Sequence, residues 1–199
     1  MRWIVLAIVV CIVPYTWLTL RHRKPEPAYL PYSDTKTRAE VLRLVEAGFR
    51  RFDVQLELAN QLRPSAPAEP VTFAGRPGGL PPLLRELLID QPTLPAAAQL
   101  IAAPAAGNVK TDYALRLSIA SPRPEEMPTR LTVYVRGKEV TLVPAVGPRD
   151  EPLPASNETA ELVAILPGGT LQPGRYQFTL VTAETSPTWT VDLLPQDAR

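Results

Sequence analysis

The residues of this chain that could do chemistry are few and scattered. His22 is the only histidine and Cys11 the only cysteine. A serine nucleophile would therefore have only His22 as a histidine base, and His22 follows an apolar run at residues 3–20. A cysteine metal site or an internal disulfide cannot be built from one thiol. Paired carboxylates working as acid and base must converge in a cleft. The adjacent acids Glu125-Glu126 and Asp150-Glu151 instead fall in Pro-rich loops, where acids are ordinarily solvated. Gly78-Gly79 lacks the strand-to-helix context and the Lys-Ser/Thr ending of a phosphate cradle. No Asp-x-Asp-x-Asp-Gly string marks a calcium loop. Asn157-Glu158-Thr159 matches a glycosylation acceptor, which matters only in a eukaryotic secretory setting. The expectation is a protein that is not an enzyme and carries no cofactor and no metal.

The formal net charge of +1 supplies no field for nucleic acid, so none is expected as a partner. The elements that organise the chain are an apolar segment and a β-rich domain. Residues 3–20 hold no charge and end at Arg21-His22-Arg23-Lys24. As a helix this run rises about 27 Å, at the short end of what a core of about 30 Å requires. Trp3, Tyr15 and Trp17 suit the two interfaces. No small-x-small cleavage site follows, so a retained single-pass anchor is expected, touching membrane lipid. Within it Ala7, Cys11 and Pro14 fall near one helical face by i+4 and i+7 spacing, a candidate helix–helix interface.

The domain reading is residues 1–24 as anchor and basic flank, 25–33 as a Pro-rich spacer, and 34–94 as an extension of helix, strand and loop. Residues 95–199 form a β-sandwich. Thr37-Arg38-Ala39-Glu40 has capping-box spacing. Val41, Leu42, Leu44, Val45 and Phe49 form a stripe expected to pack on the domain, with Gly48 as helix stop. Phe52, Val54, Leu56 and Leu58 alternate as a strand. Residues 60–79 read as a loop, and Pro81-Pro82 opens a short helix. Beyond Pro95, alternation and turn residues predict seven strands, at about 97–103, 112–120, 130–136, 139–143, 160–166, 174–183 and 187–194. Many prolines, 24 in all, fall between these apolar runs, where an all-β domain tolerates them. Seven short strands in about 100 residues is the pattern of an immunoglobulin-like antiparallel sandwich.

Leu171-Gln172-Pro173-Gly174-Arg175-Tyr176 sharpens that reading. It resembles the Leu-x-Pro-Gly-x-Tyr corner of fibronectin type III and related immunoglobulin-like domains. The resemblance, over roughly residues 96–196, implies that Tyr176 opens the penultimate strand and that its hydroxyl bonds back to the corner backbone. It also implies a binding or spacing module, although fold alone does not give function. The family's tryptophan on an early strand has no counterpart; Trp189 lies on the last strand.

The expected function is that of a non-catalytic accessory or assembly subunit of a larger membrane complex, held to other membrane-protein subunits by protein–protein contacts. The alternative is a membrane-tethered module for a glycan or envelope polymer. The expected setting is a bacterial inner membrane, with the C-terminal domain on the extracytoplasmic, periplasmic face. The Lys/Arg count around the apolar run leans slightly the other way.

Overall fold

Two periodicities build this molecule, and both are visible in the computed structural model. It describes residues 2, 3, 12, 15, 17, 21, 31–58, 74–120, 128–146 and 159–195. The chain divides into two compact units, Met1–Arg38 and Ala39–Arg199.

In the first unit, residues 2, 3, 12, 15, 17 and 21 are helical. The Arg21 guanidinium lies 5.1 Å from the centre of the Trp17 ring, so the basic flank packs on an aromatic one turn back. Most of the apolar run 3–20, including Ala7, Cys11 and Pro14, lies outside the described residues. Among the described residues no helix is long and apolar enough to cross a membrane.

Helix α1 (Pro31–Glu46) starts earlier than its sequence signal suggests. Proline is tolerated in the first helical turn, because its missing N–H would be unbonded there anyway. Residues 31–33 are therefore helix rather than spacer; residues 25–30 lie outside the described set. Thr37 is consequently interior to the helix, and the expected capping box does not form. Glu40 turns in toward the sheet instead, accepting from Arg51 Nη1 at 2.7 Å and from the Ile89 backbone N–H at 3.2 Å. The C-terminus does match expectation. Gly48 is left-handed at φ 81°, its N–H donates to Val45 O, and the Phe49 N–H donates to Leu44 O. These are the paired bonds of a Schellman stop, with Leu44 and Phe49 closing its apolar contact.

Among the described residues ten strands follow: β1 (Arg50–Leu58), β2 (Ala74–Pro77), β3 (Ala97–Ala102), β4 (Ala106–Asn108), β5 (Tyr113–Ala120), β6 (Pro128–Arg136), β7 (Glu139–Val146), β8 (Thr159–Leu166), β9 (Gly174–Leu180) and β10 (Thr185–Leu194). A short helix α2 (Pro82–Leu87) stands between β2 and β3. The strands form one mixed sheet in the order β2-β10-β9-β7-β6-β1-β8-β5-β3, with β4 also on β10. The protein is mostly β, with a curled, half-barrel sheet and few helices.

Strand β1 makes the curl. Its first part, Arg50–Gln55, pairs with β6, and its last residues, Leu56–Leu58, pair with β8. It thereby joins two half-sheets that face each other across one core, and β3 touches β10 across the opening. The core takes the alternate residues predicted from the pattern. Leu115, Leu117 and Ile119 from one half meet Leu131, Val133, Tyr176, Phe178, Leu180 and Val191 from the other. The outer face of the β6–β7–β9 region carries a second apolar cluster. Tyr134, Val143 and Val181 are covered there by Leu44, Phe49, Leu80, Leu84 and Leu88.

Two expectations change. Two separate antiparallel sheets were expected; the sheet is instead continuous, and β7–β9 and β10–β4 are parallel pairs. The boundary at residue 94/95 does not separate two bodies. Strand β1 lies mid-sheet, and Ala39–Arg199 forms one compact unit. The reason is burial: Val54 and Leu56 belong to the main core, while the apolar residues around α2 cover the outer face.

Candidate functional site

Beside the outer cover, the sheet surface turns polar and a groove opens. Its volume is about 410 Å³. The floor is the outward row of the strands: Glu139 and Thr141 of β7, Gln177 and Thr179 of β9, and Ser186 of β10. Their neighbours Val140, Leu142, Phe178 and Leu180 face the core, so strand alternation alone makes the floor hydrophilic.

The wall is the segment Arg76–Arg85, with Phe49. It is seated by two glycines. The Gly78 N–H donates to Glu184 O at 3.0 Å and the Gly79 N–H to Thr182 O at 2.7 Å. A Cβ on Gly78 would run into the Ala183 backbone, and Gly79 is left-handed at φ 94°. The Gly-Gly pair that failed as a phosphate cradle is what lets this wall approach the sheet. Pro81 and Pro82 then turn the chain into α2, and Leu84 anchors it beneath.

Three guanidiniums serve the groove. Arg76 stands on edge strand β2, Arg85 on α2, and Arg136 at the end of β6. Arg85 Nη2 donates to Leu80 O at 3.1 Å, and the Arg136 guanidinium lies 5.5 Å from the Phe49 ring centre. Among the described residues none of the three meets a carboxylate, and Glu139 is the only acid in the lining. Sequence reading missed these arginines because they are 60 positions apart from first to last. Arg-Pro-Gly-Gly followed by Pro-Pro was the available signal, since such a string fixes a wall rather than a flexible loop.

A second surface lies on α1. Leu44 is 1% exposed, but Val41, Leu42 and Val45 are 43%, 62% and 62% exposed. The predicted apolar stripe thus divides. One edge enters the outer cluster, and the other leaves three aliphatic side chains in solvent on adjacent turns. Beneath α1 sits a polar network. Arg51 bonds Glu40, its guanidinium lies 6.0 Å from the Tyr134 ring centre, and Asp53 accepts from Thr132 at 2.7 Å. Burial pushes the Tyr134 hydroxyl up to about 12, opposed by the Arg51 charge.

At the corner, Tyr176 is 1% exposed and its hydroxyl accepts from the Gln172 N–H at 3.1 Å. Lys138 Nζ covers it, 4.4 Å from the ring centre and 2.8 Å from Pro173 O. Gly174, at φ 138°, leaves room for that amine, which a Cβ would strike. Tyr176→Phe removes the hydroxyl and with it the bonds donated by the Gln172 N–H and, at 3.4 Å, by Lys138 Nζ. The expected loss is about 1–3 kcal/mol, read as a lower denaturation midpoint at unchanged slope. An unchanged midpoint would show that the hydroxyl contributes nothing to the corner.

In the core, Phe178 stacks on Trp189 at 5.6 Å and lies 5.8 Å from the Tyr113 ring. Burial raises the Tyr113 hydroxyl pKa, and the nearby indole N–H of Trp189 pulls the other way. That N–H stops short of hydrogen-bond geometry and is a buried donor without a partner. The Tyr113 hydroxyl itself donates to Pro104 O at 2.6 Å. On the outer surface Arg175 pairs with Asp192 at 2.8 Å, which lowers the Asp192 pKa and raises that of Arg175.

The acids considered from sequence, Glu125-Glu126 and Asp150-Glu151, lie outside the described residues, as do His22 and Asn157. Among the described residues no three of His, Cys, Asp and Glu gather to hold a metal ion. In comparison with known proteins, no family model, curated protein or solved structure matches this chain.

Proposed function

We propose that this chain is a non-catalytic, single-pass membrane protein that serves as an accessory or assembly subunit of a larger membrane complex. The observation that carries the reading is the unpartnered face Val41, Leu42 and Val45 on α1. Aliphatic side chains left in solvent on one helix face mark a contact surface when they lie together. Ten residues separate the end of the apolar run at Leu20 from the start of α1 at Pro31, which makes a neighbouring membrane subunit the natural partner. The polar residues of α1 are of mixed charge, Lys36, Arg38, Glu40, Arg43 and Glu46, which suits a protein neighbour better than an anionic lipid surface.

In this reading the fold is an elaborated immunoglobulin-like sandwich. The β3-β5-β8 and β9-β10 groupings and the Tyr176 corner support that kinship; the mid-sheet β1 and the parallel β7–β9 pair depart from it. The domain would face the extracytoplasmic side of a bacterial inner membrane.

The test is Leu42→Glu together with Val45→Glu. Both side chains are exposed, so the melting midpoint should shift by the equivalent of about 0.5 kcal/mol or less. In gently solubilised native membranes the original chain should run within an assembly several times its own mass, and the variant should leave it. A photo-crosslinker at position 42 should give a discrete protein adduct. A variant that co-migrates with the original, or adducts to lipid alone, overturns the reading.

A further inference from the structure

We propose that the groove over β7, β9 and β10 receives an extended acidic segment of a partner protein. The inference goes beyond the subunit reading and makes no use of the α1 face.

Charge comes first. Among the described lining residues three arginines, Arg76, Arg85 and Arg136, face a single carboxylate, Glu139, in a chain whose net charge is only +1. None of the three forms an ion pair with a described carboxylate, and Glu139 stands opposite Arg136 in the β6–β7 ladder, which leaves Arg76 and Arg85 as the excess. An excess of positive charge in the lining draws an anionic occupant and repels a cationic one.

Spacing comes second. Arg76 on β2 and Arg136 on β6 are separated in sheet order by β10, β9 and β7. Four strand spacings are roughly 19 Å across the sheet, and an offset of about four residues along the strands adds roughly 13 Å, a diagonal of roughly 23 Å. An extended chain covers that with about seven residues at about 3.3 Å each. A lone phosphate or small carboxylate reaches one end only, so the geometry asks for several carboxylates carried on one strand-like segment.

The third consideration is the wall. Leu80, Pro81, Pro82 and Leu83 offer aliphatic surface, so the occupant has apolar side chains between its acids. A polysaccharide would be better served by an open aromatic platform. The only aromatic among the described lining residues, Phe49, is buried and lies beneath the Arg136 guanidinium. Thr141, Thr179 and Gln177 across the floor can meet a peptide backbone with donors and acceptors.

The test uses the full chain in detergent micelles and a fluorescent ten-residue peptide in which Glu alternates with Pro and Leu. Its Gln counterpart, a uronic-acid oligosaccharide and inorganic phosphate serve as competitors. The Glu peptide should bind, and its Gln counterpart should be at least about tenfold weaker, as for lost charge-assisted bonds. Arg76→Gln, Arg85→Gln and Arg136→Gln combined should weaken binding by about tenfold or more. Arg76→Gln alone, which removes no described contact, should weaken it several-fold with an unchanged melting midpoint. Equal binding of the Gln peptide, or by the triple variant, overturns the proposal. Tighter binding of the oligosaccharide makes this a polymer site, and displacement by phosphate at low concentration makes it a small-anion site; either result also overturns it. Because purified protein is used, failure here leaves the native-membrane test of α1 untouched, and the reverse holds.

Discussion

A chain starting at Pro95 is expected not to fold, whereas one starting at Ala39 is expected to. The shorter piece contains every strand from β3 onward, yet it lacks β1, which pairs with β6 on one side and β8 on the other. Without β1 the two half-sheets lose their hinge, and two interior strands acquire open edges. Val54 and Leu56 leave the main core, and Leu44, Phe49, Leu80, Leu84 and Leu88 leave the outer cluster. Seven buried apolar side chains at about 1.5–3 kcal/mol each amount to about 10 kcal/mol or more. Domains of ordinary size have a net stability of about 5–15 kcal/mol, so this loss consumes most or all of it. Circular dichroism and thermal melts of 95–199 and 39–199, made side by side, decide the matter. Cooperative melting of 95–199 at the midpoint of the longer piece would show that the C-terminal strands are self-sufficient.

Phe178→Ala is expected to be the most damaging single substitution among the core aromatics. Phe178 lies fully buried in the middle of β9, stacked on Trp189 and tilted against Tyr113. Truncation removes the ring from both neighbours and leaves a cavity that three surrounding strands cannot collapse to fill. Phe→Ala changes of this kind cost about 3–5 kcal/mol. Urea denaturation should show the loss as a lower midpoint with an unchanged slope. Phe178→Leu keeps much of the volume and should recover more than half of it. If both variants lose the same amount, ring contacts rather than volume hold this part of the core.

Much of the architecture was legible in local pattern, because a strand's side-chain period is two. Tyr176, Phe178 and Leu180 alternate with polar neighbours, and all three lie in the core. The strands beyond Pro95 fall close to their predicted places, and Gly48 ends α1 as its residue type requires. Short elements were missed where pattern is too brief to show. The four residues of β2 and three of β4 exist only because β10 offers them an edge.

What tertiary structure decided is which elements meet. Alternation makes Phe52–Leu58 a strand but does not say that it sits between β6 and β8. That depends on two distant strands each presenting a free edge and a shared core. The α1 stripe shows the same limit. Its helical spacing put Val41, Leu42, Leu44, Val45 and Phe49 together, but only the arc holding Leu44 and Phe49 finds a surface to cover. The groove lay furthest from view. Arg76, Arg85 and Arg136 have no common motif, and each is an ordinary surface residue in its own stretch. They become one site because two glycines bring the wall down on the β9–β10 turn while β6 carries Arg136 to the far end of the same floor. Composition and periodicity determined the mostly-β class and the core-facing row of the longer strands. Long-range pairing alone gathered charges that lie 60 residues apart.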